Sequence, residues 1–208
     1  MEIIKGVLRR MLLALISTVI VLIVITVVLL INHAVSNKNK EKEVVNMTRC
    51  VMSAEICEKL TDVTVEEFVE YQLWFDFYDG SNPRTTEGVD GELVIFLNDS
   101  QLSSWRNESM SRIDKAEEVG ADVASDLKSV TVSWSTAYEE IGIIDNAMRG
   151  CVYLQIMNGA STEDVYVDLI VVDEATGEEE FSFRFPEKMV TSVNKSGDKY
   201  YFEFEEDK

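Results

Sequence analysis

The chain has 208 residues, with 38 Asp and Glu against 19 Lys and Arg and a formal charge of −19. A chain that acidic repels phosphate backbones, which sets nucleic acid aside as a partner. With 46% apolar residues and only two prolines it is not a disordered chain. Its length suits one modest domain, or a domain plus a stalk, with a real core.

Met11–Ile31 is a run of 21 residues interrupted only by Ser17, Thr18 and Thr26, with no charged residue inside it. As a helix it reaches roughly 30 Å, the thickness of a bilayer's hydrocarbon core. The reading is a short cytoplasmic tail (residues 1–10), a transmembrane helix that contacts the lipid bilayer (11–31), a charged spacer (32–43) and an extracytoplasmic domain (44–208). A cleaved signal peptide is the alternative: Lys5, Arg9 and Arg10 form a suitable n-region, and Ala34-Val35-Ser36 is a passable cleavage site. Signal cores of about 7–15 residues are shorter than this run, which favours an uncleaved anchor. Orientation rests on small differences. Three basic residues precede the run and three follow it (Lys38, Lys40 and Lys42), but Arg9 and Arg10 lie directly against it. That places the N-terminus inside and residues 36–208 outside, where they carry 16 basic and 37 acidic residues. The run is mostly Val, Ile and Leu, with small residues only near its start at Ala14, Ser17 and Thr18, so any dimerisation is expected in the soluble part.

Along the soluble part, Met47, Cys50, Val51, Ala54 and Cys57 fall on one helical face, so a helix is expected over Val44–Leu60. Thr64-Val-Glu-Glu67 reads as a capping box. It leads into alternating Val69, Tyr71, Leu73, Phe75 and Phe77 and an expected strand at Tyr71–Tyr78. Asp79–Gly91 reads as a loop and Glu92–Leu97 as a strand. Asn98 or Asp99 then caps a helix to about Val119, with Leu102, Trp105, Ile113 and Ala116 inward and Gly120 as its stop. Ser129–Trp134 is an expected strand, forming a hairpin with Asp122–Ser125. Thr136-Ala-Tyr-Glu139 reads as a second capping box opening a helix to Asn158, with Tyr138, Ile141, Ile144, Met148, Cys151 and Val152 as its stripe.

The last third alternates as strands. Val165, Val167, Leu169 and Val171 precede a Gly177 turn, Phe181, Phe183 and Phe185 follow it, and Lys195–Asp198 turns into Tyr200, Phe202 and Phe204. The order β-β-α-β-α-β-β-β-β predicts an α+β fold: an antiparallel sheet with one wet face and two helices packed on the other.

Chemistry-bearing motifs are few. There is no phosphate-binding glycine loop, G-x-S-x-G, H-E-x-x-H or EF-hand loop. The one histidine, His33, lies at the membrane edge, so neither a Ser-His-Asp nor a Cys–His arrangement can be assembled. Cys50, Cys57 and Cys151 lack a C-x-x-C pair. On one continuous helix Cys50 and Cys57 would be about 10 Å apart, too far for a disulfide. A Cys50–Cys57 or Cys57–Cys151 bridge stays open if that helix breaks. Carboxylate pairs are the remaining chemistry, with Asp79, Asp90 and Glu92 around one loop and Asp173 with Glu178 at another. They suit a glycosidase-like site or a Ca²⁺ loop, and by default they are solvated turns. Tyr71, Trp74, Phe75 and Tyr78 suggest a carbohydrate or peptide platform, or else core. Four sequons begin at Asn46, Asn98, Asn107 and Asn194, of which Asn98 reads as a helix cap.

An anchor followed by an α+β domain is also the plan of pilins, which carry a Gly-processed leader and a Glu at the fifth position after it. Here Gly6 is followed by Val7-Leu-Arg-Arg-Met11, with two arginines and no Glu. The helix Thr136–Asn158, the strand Val165–Asp173, the Gly turn and Glu179–Phe185 resemble the small uncharacterised α+β domains tethered to the surface of Firmicutes bacteria. That resemblance covers roughly residues 92–186. It implies fold and location, with no activity, catalytic residues or cofactors to carry over. The expectation is a non-enzymatic module that binds a protein or envelope component, the alternative a carboxylate-dependent hydrolase of envelope glycans. No catalytic, cofactor or metal residue is assigned.

Overall fold

In the computed structural model, residues 47–71, 83–197 and 199–204 are described. Nine strands and four α-helices form an α+β fold in the order β1 (Thr48–Met52), α1 (Ala54–Thr61), α2 (Val65–Glu70), β2 (Arg84–Glu87), β3 (Leu93–Leu97), α3 (Asp99–Glu118), β4 (Asp122–Val123), β5 (Ser129–Ser133), α4 (Trp134–Met157), β6 (Val167–Val172), β7 (Glu179–Phe185), β8 (Val190–Ser196) and β9 (Lys199–Phe204). The expected membrane span 11–31, the spacer 32–43 and most of the Tyr71–Tyr78 strand lie outside the described residues. Among the described residues no helix is long and apolar enough to cross a membrane.

Over residues 47–60, the described part of the expected helix Val44–Leu60, the chain forms a strand and a shorter helix. In β1, Cys50 and Met52 turn inward by two-residue alternation. Ser53 then breaks the chain direction in extended backbone, and its hydroxyl accepts from Ile56 N at 3.2 Å to cap α1. Helical and strand spacing both place Cys50 inward, but helical spacing turned Val51 and Ala54 inward as well, whereas Met52 is buried and Ala54 exposed. At α2 the capping box forms as read: Glu67 N donates to Thr64 Oγ1 at 3.3 Å, and Thr64 N to Glu67 Oε2 at 3.0 Å. Asn98 caps α3 in the same reciprocal way, paired with Gln101 at 2.9 Å in each direction.

The strands form three sheets in place of the expected one. In the first, β3 lies between β1 and β2 with all pairs antiparallel, and Ile95 faces both Cys50 and Thr85. Strand β2 occupies Arg84–Glu87, inside the stretch read as a loop; its sequence, Arg-Thr-Thr-Glu, carries no apolar signal. The second sheet has the order β4-β5-β6-β7. Its β5–β6 pair is parallel, because α4 connects the two strands as a crossover. The remaining pairs are antiparallel. The third is the β8–β9 hairpin.

One face of the second sheet carries Val130, Val132, Val167, Leu169, Val171, Phe183 and Phe185, all buried. The opposite face carries Asp168 and Arg184, which pair across β6 and β7 at 2.9 Å. This is the wet face that the alternation implied. Helix α4 packs on the buried face and also against α3. Its cap is Ser133, whose hydroxyl accepts from Thr136 N at 3.2 Å, so the helix starts two residues before the expected Thr136 and is interrupted at Glu140 (φ −126°, ψ 24°). Tyr138, expected on the inward stripe, is exposed, whereas Gly150–Met157 is buried on every side. An amphipathic reading fits only the first half of this helix. Tyr200, Phe202 and Phe204 of β9 lie along one side of their hairpin, and the rings of Phe202 and Phe204 meet those of Phe181 and Phe183 at 5.1–6.4 Å between centroids.

Candidate functional site

The acids singled out by the sequence do not converge on one site where they are described. Asp79 lies outside the described residues, as do Trp74, Phe75 and Tyr78. Asp90 is an exposed residue at φ 58° in a single 3-10 turn. Half-buried Glu92 accepts from Thr162 Oγ1 at 3.4 Å. Asp173 organises the β6–β7 turn. Its Oδ1 accepts from Thr176 N at 2.7 Å and Ala175 N at 3.0 Å, and the first of these bonds leads in holding its carboxyl below the usual value. Glu178 closes the same turn, its carbonyl accepting from Asp173 N at 2.9 Å. Tyr71 is 65% exposed at the end of α2. Among the described residues no group of three or more His, Cys, Asp or Glu side chains could hold a metal ion.

The three cysteines are free and buried. Burial pushes the thiol of Cys50 up to about 11 and that of Cys151 up to about 12, and raises that of Cys57 as well. Thiols held in the neutral form are poor nucleophiles and poor metal ligands. They act as small core residues, joining β1, α1 and α4.

A second group of side chains gathers at the start of α4. Trp134 stacks on Tyr200 (5.7 Å, 9° between planes), and its indole N–H donates to Glu180 Oε2 at 2.6 Å. Glu174 accepts from Ser135 Oγ, which lowers its carboxyl pKa. Glu174 thus places a carboxylate near the first turn of α4, where the helix dipole favours it. The aromatic rings tie the hairpin to the sheet, and the acids are committed to chain partners.

A concave surface among the described residues lies elsewhere. A cleft of ≈ 420 Å³ opens between α3, the β4–β5 connection and the last turn of α4. On α3, Arg106, Met110, Ile113 and Glu117 are spaced by four, three and four residues, which puts them in one row along the helix. The opposite wall is a turn in which Leu127 N donates to Ala124 O at 2.8 Å while Leu127 itself adopts φ 64°. Asp126 Oδ1 accepts from Lys128 N at 3.0 Å and fixes the way out of this turn. Leu154 and Asn158, one turn apart, close the cleft from α4.

Its floor is apolar, from Met110, Ile113, Val123, Leu127 and Leu154, and Met110 is 43% exposed. At one end, Arg106 Nη2 donates to the neutral amide of Asn158 at 3.3 Å. The ion pairs among the described residues are Arg112–Glu108, Arg149–Asp145 and Arg184–Asp168, so Arg106 has no carboxylate partner there. The volume falls in the range of about 300–1,000 Å³ typical of small-ligand pockets. The lining contains no histidine, cysteine or carboxylate pair. Of this row the sequence reading named only Ile113, because it followed the inward face of α3 (Leu102, Trp105, Ile113 and Ala116) and not the neighbouring row. The signal was the row itself, two apolar residues flanked by opposite charges.

No family model matches the chain, and neither a curated protein nor a solved structure matches it.

Proposed function

We propose that this chain is a single-pass membrane protein with its N-terminus in the cytoplasm and an α+β binding module held outside by the helix over residues 11–31. The module binds a protein or envelope component and has no enzymatic role. The observation that carries the reading is a pairing. A 21-residue uncharged apolar run precedes a domain in which Asp173 is taken up by a turn and an apolar-floored cleft opens beside α3. The strongly acidic surface supports exposure to solvent and disfavours lying flat on anionic lipid. The resemblance to tethered Firmicutes surface domains supports the same placement.

Membrane fractionation combined with protease shaving of intact cells tests the proposal. The chain should sediment with membranes and resist extraction by alkaline carbonate, and residues 36–208 should be digested on intact cells. Protection until lysis, or release into the soluble fraction, would overturn it.

A further inference from the structure

We propose that the α3–α4 cleft binds a short, apolar, zwitterionic peptide of about five residues, with its carboxylate at Arg106 and its ammonium at Glu117. The inference rests on reading the chain as a binding module, and not on its location. Arg106 and Glu117 are eleven positions apart on one helix, about 16 Å along its axis. An extended peptide advances about 3.3 Å per residue, so about five residues span the two charges. Between them the floor offers Met110, Ile113, Val123, Leu127 and Leu154 to apolar side chains. Ser125 and Asn158 supply hydrogen-bonding groups for the backbone of an extended ligand.

The charges are placed for a ligand and not for the helix. Glu117 sits in the last turn of α3, where the helix dipole disfavours a carboxylate and favours a ligand's ammonium. Arg106 presents five N–H donors in a fork that suits a carboxylate, yet it donates to the neutral amide of Asn158. Neither charge enters an ion pair among the described residues. A zwitterion also resolves the problem set by a chain of net charge −19: an anionic ligand would be repelled by the whole molecule, whereas a neutral one is not. The two end charges then fix the direction in which the peptide lies.

The test is calorimetric titration of the full chain in lipid nanodiscs with an alternating alanine–leucine pentapeptide in four forms: free, C-terminally amidated, N-terminally acetylated and doubly blocked. The free peptide should bind, and each single block should weaken binding about tenfold. Amidation should make no difference to Arg106→Met, and acetylation none to Glu117→Gln, because each variant has already lost the partner of the blocked end. Circular dichroism of the two surface variants checks that the fold is retained. Absence of binding by the free peptide at millimolar concentration would overturn the proposal, as would equal binding of the blocked forms or persistence of the amidation effect in Arg106→Met. Peptide binding together with protection from shaving would leave the cleft assignment standing and overturn the external location; shaving without peptide binding would do the reverse.

Discussion

The side chain of Gln155 holds the backbone of Tyr166 by both of its ends: Oε1 accepts from Tyr166 N at 3.3 Å, while Nε2 donates to Tyr166 O at 2.8 Å and to Leu127 O at 2.7 Å. Gln155 is 5% exposed, on the stretch of α4 that is buried all round. It therefore anchors the strained Leu127 turn, which forms one wall of the cleft, to the helix that forms another. Gln155→Leu would keep the volume and leave three backbone groups without this partner. At about 1–3 kcal/mol for each buried group left unpaired, less whatever water recovers, the expected loss is about 3 kcal/mol in urea unfolding. Gln155→Glu cannot donate to two carbonyls when ionised and should cost at least as much. A loss under 0.5 kcal/mol for both, far below about 1 kcal/mol per group, would mean that the clamp is dispensable.

Gly150 and Gly142 lie on the same helix and should respond oppositely to Ala. A Cβ at Gly150 would meet Ser109 O at 2.8 Å, a backbone atom of α3 that cannot swing aside. Gly150→Ala should therefore force α3 and α4 apart at a cost of about 1–3 kcal/mol. Gly142 is exposed, with nothing within 4 Å of the added atom, so Gly142→Ala should stabilise by about 0.5–1 kcal/mol through helix propensity. Thermal melts of the two variants check both signs. Equal effects would show that α3 and α4 do not approach closely at Gly150.

Where local chemistry decides structure, the sequence was readable. The capping box Thr64/Glu67, the Asn98 cap of α3, the two-residue alternation of Val167–Val171 and Phe181–Phe185, and the Asp173 turn all depend on neighbours within a few positions; the capping box read at Thr136 is the exception, Ser133 taking that place. What escaped depends on distant partners. Strand β2 exists because β3 supplies its ladder, and Arg-Thr-Thr-Glu holds no trace of that. The parallel β5–β6 pair brings Val130 beside Leu169, a choice made by the α4 crossover and not by either strand. The cleft was harder still. Arg106 and Glu117 read as ordinary solvated helix residues until Leu127 and Leu154 are placed opposite them.

Asp173 links turn geometry to acid stability. Its carboxyl is held below the ordinary 3.8 by the bonds from Thr176 and Ala175. A folded-state pKa below the unfolded one gives a contribution that is present above the unfolded value and is lost as pH falls through the folded value. Stability should thus decline below about pH 3.8, and Asp173→Asn should be less stable than wild type near neutrality while losing part of that acid-dependent decline. Thermal melts from neutral to strongly acidic pH measure it. Parallel curves for the two proteins would remove Asp173 from the acid response.

The three cysteines should be silent toward an aromatic disulfide reagent in the native protein and react together in guanidinium, since burial keeps their thiols protonated well above neutral pH. Their raised values also have a consequence for stability. The unfolded thiols ionise near 9.0 while the folded ones do not, so stability should fall as pH rises above that value. Rapid labelling of one cysteine under native conditions would contradict its buried placement.

That silence makes a direct topology measurement possible. Glu163→Cys puts a single thiol on an exposed turn of the domain, far in sequence from the cleft row on α3. Intact cells carrying this variant should be labelled by a membrane-impermeant maleimide, with the parent chain unlabelled as the background. Labelling of Glu163→Cys that appears only after the cells are permeabilised would place the domain inside and contradict an anchored module facing outward.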